Sequence, residues 1–267
     1  MGKSILIVDK EVDAKKMVYS IPWNSDAAGF NMHFPETSIN INADDETNWN
    51  NKIGNFEKIT SIFIQCPLEK DEYSILDKMS NIEQIYISNA EKLDSIQFVY
   101  AKAKLKDLWI SDSKIWDLKP LVELMKYQSN LREKYPKDFL KYQLGNVAIV
   151  GAAIKDLSCF SDFENGSISD LNLQANSISD LKPLDKLGIY YANFSHNQIV
   201  DIEGFMKTHR LTYLMNFRNN NIKSIEFMSE WKNAFPRRFF ICGNSFTDYS
   251  PLKGHRFVQS DIPKNKK

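Results

Sequence analysis

The stretch Ile168–Leu187, ISDLNLQANSISDLKPLDKL, decides the fold. Its apolar residues are Ile168, Leu171, Leu173, Ile178, Leu181, Leu184 and Leu187, with Asn176 between the third and the fourth. Neither the 3.6-residue period of a helix nor the two-residue period of a strand generates that series over its whole length. A short strand over 171–173, a tight turn at Asn176 and a looser arc with an apolar residue at every third position do generate it.

The pattern recurs. With Leu173 as reference, downstream counterparts are Phe194, Phe217 and Ile241, and upstream ones are Ile149, Ile110, Ile87, Ile64 and Ile41. The spacing is 21 to 24 residues except for one step of 39, from Ile110 to Ile149. Two residues before each reference stands Ile39, Ile62, Ile85, Leu108, Val147, Leu171, Ala192, Met215 or Phe239. Three residues after it the later copies carry Asn176, Asn197, Asn220 and Asn244, whose side chains can satisfy backbone groups where the chain leaves the strand. The series resembles the leucine-rich repeat consensus, L-x-x-L-x-L-x-x-N-x-L-x-x-L-x-x-L. With the D-L-K-P-L at 117–121 and again at 180–184, the copies look like those of bacterial internalins and of short-repeat phosphatase-regulatory proteins.

The fold expected is therefore an α/β leucine-rich repeat solenoid: curved, right-handed, with a parallel sheet of about nine repeat strands on the concave face. Residues 1–34 read as an atypical N-terminal cap with a first strand over 4–8, 35–255 as the repeat domain, and 256–267 as a polar C-terminal tail. The 39-residue step leaves room for a helical insertion at about 122–141, with a helix from about Pro120 to Gln128 and a second short one after it.

Composition excludes several classes of function. Acidic and basic residues balance at 34 each, so the chain as a whole has no electrostatic drive toward nucleic acid or an anionic membrane. Three scattered cysteines, Cys66, Cys159 and Cys242, read as free thiols. With no apolar run fit for a leader at the N-terminus, they predict a cytoplasmic protein. The four histidines have no metal-ligand spacing, and no phosphate-binding loop or nucleophile motif occurs. No enzyme, cofactor or metal is expected.

Function is then expected on the concave sheet. The residue before each reference runs Asn40, Phe63, Tyr86, Trp109, Ala148, Asn172, Asn193, Asn216, Phe240. Phe63, Tyr86 and Trp109 on successive strands predict an open aromatic column, rimmed by Gln65, Ser88, Ser111 and Asp112. Asn172, Asn193 and Asn216, with Tyr191, His196 and Arg218, form the polar half. The resemblance implies that this face binds another protein, with no catalytic residues, and the chain is expected to be monomeric. The alternative is a small molecule or glycan stacked on the same rings.

Overall fold

A computed structural model describes residues 4–9, 39–42, 56–64, 68–164, 166–209, 212–231 and 236–263. Its strands are β1 (Ser4–Asp9), β2 (Ile39–Asn42), β3 (Ile59–Ile64), β4 (Gln84–Ile87), β5 (Asp107–Ser111) and β6 (Asn146–Val150). They continue with β7 (Ser167–Asn172), β8 (Gly188–Asn193), β9 (Leu214–Asn216), β10 (Arg238–Phe240) and β11 (Gln259–Ser260). All eleven form one sheet in the order β2-β1-β3 and then consecutively to β11. From β3 to β11 the pairing is parallel, nine strands in a curved leucine-rich-repeat-like α/β solenoid.

The register follows the repeat. Ile64 lies beside Ile87, Ile87 beside Ile110, and Ile110 beside Ile149, while Asn172, Asn193, Asn216 and Phe240 align across β7–β10. The inward residues are buried in every turn, from Ile62 and Ile64 to Phe239 and Ile241. Each fully buried aliphatic side chain contributes about 1.5–3 kcal/mol, so the slab is the main source of stability.

Three recurring features shape the turns, the first of them confined to the later copies. The consensus asparagine ties neighbouring repeats: Asn197 Nδ2 donates to the carbonyls of Leu173 (2.9 Å) and Phe194 (3.1 Å), and its Oδ1 accepts from Ile178 N (3.0 Å). Asn176, Asn220 and Asn244 do the same in their own turns. Just before that column the backbone is left-handed, at Asn89, Asp112, Gly151, Ala175, His196, Asn219 and Gly243. At Gly243 a Cβ would meet Asn219 Oδ1 at 2.0 Å, so a larger residue there would have to displace the Asn219 side chain. Seven residues after the reference an aspartate or serine closes a short turn: Asp117 Oδ1 accepts from Lys119 N, Asp156 from Ser158 N, Asp180 from Lys182 N and Asp201 from Glu203 N, each at 2.8–2.9 Å. The aspartate of D-L-K-P-L thus starts the outer 3-10 or helical segment.

Two identical starts lead to different segments. After Asp180 the segment stops within one 3-10 turn, Lys182–Leu184, before Gly188 opens β8. After Asp117 the helix α1 (Lys119–Lys134) continues, because Leu121, Leu124, Met125 and Gln128 keep a buried stripe at helical spacing. It is longer than the expected 120–128. Asn130 does not interrupt it, and the chain leaves it before Pro136 and the 3-10 segment Pro136–Lys141. A second, shorter helix, α2 (Glu203–Thr208), lies outside β8 and β9.

Two expectations about the ends are corrected. Ile39 and Ile41 are in a strand, but β2 does not stack beside β3 as a first repeat. β1 lies between them, antiparallel to both, with Ile5 opposite Ile41 on one side and Ile64 on the other. At the other end, residues read as a polar tail supply β11, parallel to β10, and bury Ile262. There Asp261 stands in for a further repeat: its carboxylate accepts from Ile241 N (2.9 Å), Cys242 N (3.2 Å) and Arg218 Nε (2.7 Å). Most of the expected cap, 1–34, lies outside the described residues.

Candidate binding face

The sheet's outward residues form rows running across the strands. In the row just before the reference, Phe63 and Tyr86 do stack, with centroids 4.8 Å apart and planes 7° from parallel. They are, however, buried, at 1% and 7% exposure. The open aromatic column is therefore corrected: a ring already out of water offers little further area to a partner. Trp109 beside them is half-buried, and next to it Ala148 is small.

Asn172, Asn193 and Asn216 share that row, and their carbonyls turn inward to the chain. Asn172 Oδ1 accepts from Gln174 N (3.1 Å), Asn193 Oδ1 from Ser195 N (3.1 Å) and Ser195 Oγ (2.8 Å), and Asn216 Oδ1 from Arg218 N (3.2 Å). Asn193 and Asn216 are buried, so these two finish strands rather than face a partner. Phe240, at the row's end, is buried with the Arg218 guanidinium 4.6 Å and the Arg238 guanidinium 5.9 Å from its centroid.

The remaining expected residues occupy strand ends. Ser88 Oγ donates to Ile64 O, buried Ser111 Oγ donates to Asp112 Oδ2 (2.9 Å), and Arg218 is held by Asp261. Asp112 and His196 are exposed at left-handed positions, and His196 Nε2 lies 3.0 Å from Asn219 Nδ2. Gln65 lies outside the described residues.

A second row, two residues nearer the strand starts, carries most of the open functional groups. Ser61 Oγ donates to Gln84 Oε1 (2.8 Å), Gln84 Nε2 to Asp107 Oδ2 (2.9 Å), and Asn146 Nδ2 to Asp107 Oδ1. Asp170 follows beside Asn146, Tyr191 beside Asp170, and beyond Leu214 comes Arg238. Burial and the nearby Asp107 carboxylate push the Asp170 carboxyl up to about 6. Tyr191 sits in a cluster with Tyr190 (4.7 Å, edge to face) and Tyr213 (5.5 Å), and Tyr190 stacks on Tyr213 at 5.6 Å. Burial, then the neighbouring phenols and Asp170, raise the Tyr191 hydroxyl's pKa, and the Arg238 guanidinium opposes them. Tyr190 is 46% exposed. Of these residues the sequence points to Tyr191 as a strand neighbour and to Asp107 as a hydrogen-bonding neighbour of the rings; the aromatic doublet Tyr190–Tyr191 at a strand start was the signal for the tyrosine cluster.

This row can bind through aromatic area, one carboxylate side and one guanidinium side. Among the described residues no group of three or more His, Cys, Asp or Glu side chains is placed to hold a metal. Burial pushes the Cys159 thiol up to about 12, and Cys242 Sγ donates to Asp261 O, so both thiols are held protonated.

No family model matches the chain, and no curated protein matches it. Among solved structures, internalin C2 of Listeria monocytogenes is similar with a TM-score of 0.54 and 16% identity, over 76% of this chain and 81% of that one. An internalin F structure from the same organism aligns over 71% of this chain and 70% of the other at 18% identity, with a TM-score of 0.40. The first likeness establishes the fold, a bacterial-internalin-like repeat array. It also stands against the cytoplasmic expectation, because internalin-type proteins are bacterial surface or secreted proteins, and scattered free thiols do not fix a compartment. What this chain is similar to in structure is therefore an internalin solenoid, at an identity that speaks to architecture alone.

Proposed function

We propose that the chain is a non-catalytic protein-binding module whose partner lies across the sheet face. Its centre is Tyr190, Tyr191 and Tyr213, flanked by Asp170 and Arg238, with Trp109, Asn172, Asp112 and His196 toward the margins. The observation that carries this reading is the part-exposed tyrosine cluster, in which Tyr191 belongs to the second row and Tyr190 and Tyr213 lie one residue nearer the strand starts. Tyrosine supplies large contact area at little conformational cost and is enriched in interface hot spots. A row spanning β5 to β10 suits a broad partner, since six strands at about 4.8 Å spacing cover roughly 24 Å. A groove lined by Ser224, Ser229, Ser245 and Asp248 lies away from the sheet, among the outer segments of the last two turns. It gives no enclosure to a small ligand on the rings.

The test is affinity capture with purified protein, followed by titration of each captured partner against wild type, Tyr190→Ala and Trp109→Ala. Tyr190→Ala should weaken the partner by at least ~2 kcal/mol, about thirtyfold, and Trp109→Ala by less. Equal affinity of wild type and Tyr190→Ala would remove the tyrosine cluster from the site.

A further inference from the structure

α1 and the segment after it depart from the plan of the other turns. The neighbouring outer segments Gln97–Val99 and Ser158–Phe160 are single 3-10 turns, and α1 packs between them. Its buried residues, Pro120, Leu121, Val122, Leu124, Met125 and Gln128, all lie in its first ten positions. From Ser129 to Gln143 no side chain is buried, until Leu144 leads into β6. A helix of this length spans about 24 Å against about 6 Å for a three-residue 3-10 turn, so its last turns and the 3-10 segment stand out as a knob.

That knob is apolar at its tip and cationic around it. Leu140 is 78% exposed, Phe139 49%, and Tyr135 is also exposed. Around them stand Arg132, Lys134, Lys137 and Lys141 against Glu133 and Asp138. Lys141 pairs with Asp138 at 2.7 Å, the Arg132 guanidinium lies 5.5 Å from the Phe139 ring centroid, and Lys134 Nζ lies 5.2 Å from that of Tyr135. Exposed leucine and phenylalanine, an exposed tyrosine and interleaved lysines within one short segment are the residue types that the acyl boundary, headgroup level and phosphates of an anionic bilayer surface take up. The expectation of no membrane partner came from the balanced charge of the whole chain, which says nothing of a knob with a local excess of cations.

We infer that the knob Ser129–Gln143 docks the solenoid on an anionic lipid surface, with Phe139 and Leu140 inserted and Lys134 and Lys137 on the headgroups. Among the described residues no helix is long and apolar enough to cross a membrane, so the contact is peripheral. A protruding tip of three apolar residues is too small for a stable protein interface, which needs roughly 800 Å² per partner, but is sufficient for a shallow, salt-sensitive anchor.

The test is co-sedimentation of the full chain with vesicles of phosphatidylcholine containing about 30% phosphatidylglycerol, and with phosphatidylcholine alone, at about 0.1 M salt. Wild type should sediment with the anionic vesicles at least tenfold better than with the neutral ones. Phe139→Ser/Leu140→Ser and Lys134→Ala/Lys137→Ala should each lose at least tenfold, with melting curves unchanged because none of these side chains is buried. Failure of wild type to sediment, or variants that sediment as well as wild type, overturns the inference. So does a concentration-dependent dimer in vesicle-free buffer that the same serine substitutions abolish, which would assign the knob to a second copy.

Discussion

Ala175 holds a backbone conformation that suits glycine. At φ 56° it lies in the left-handed column that Gly151 and Gly243 also occupy, and an L side chain there costs of order 1 kcal/mol. Ala175→Gly should raise stability by about 0.5–1 kcal/mol, the relief outweighing the added freedom of the unfolded chain. Thermal melting of the two proteins checks the sign. Asp170 has a pH signature of its own. Its folded-state pKa of about 6 lies above its ordinary value of 3.8, so the folded protein holds the proton more tightly than the unfolded chain. The stabilisation is complete below about pH 4 and is lost as pH rises through 6. Asp170→Asn should melt higher than wild type at pH 7.5 and alike at pH 4; a constant difference at both would show that the carboxyl's titration is not coupled to folding. The consensus asparagines were legible in the sequence because they recur at a fixed offset. Burial of Phe63 and Tyr86 was not, because a repeat fixes which face a side chain takes and says nothing of what else lies over it. Tyr190 and Tyr213 were missed because their positions in the other turns are filled by unrelated residues, leaving no column to notice.

At the scale of the element, α1 shows how a repeat accepts an insertion. Gln128, 1% exposed, is the residue that seals it. Its Nε2 donates to the carbonyls of Ala103 (3.0 Å) and Leu105 (2.8 Å), and its Oε1 accepts from Leu144 N (2.9 Å). Gln128→Leu leaves buried backbone groups without partners and should cost about 2–4 kcal/mol, measurable by urea unfolding. Removing residues 129–141, by contrast, should leave the solenoid cooperative, with a melting temperature within a few degrees of wild type. Loss of cooperative unfolding in that deletion would show that the knob is part of the stack. The period alone located the insertion, and the 39-residue step sized it. Its seal by a polar residue was not legible, since a glutamine in a helical stripe does not advertise three backbone partners.

At the scale of the whole molecule, the two ends set the extent of the array. Asp261 supplies at one end the acceptors that a further strand would offer. At the other end β1 runs against the grain of the sheet, beside Ser61–Ile64. The interior was legible because the eight parallel strands β3–β10 recur every 21 to 24 residues apart from the one step of 39; the ends were not, because a terminal unit is selected for departing from the repeat. Deleting residues 1–9 should leave the Ile59–Ile64 edge unpaired and produce species larger than a monomer on size-exclusion chromatography. A monomeric elution of that variant would mean that the edge needs no cover.

The placement of β1 has a consequence for synthesis. A strand made first but set between β2 and β3 cannot reach its final place until Ile64 has left the ribosome. Once it is in place β3 is paired on that side, so further turns of some 23 residues can add their parallel strands only on the side of β4, toward the carboxyl terminus.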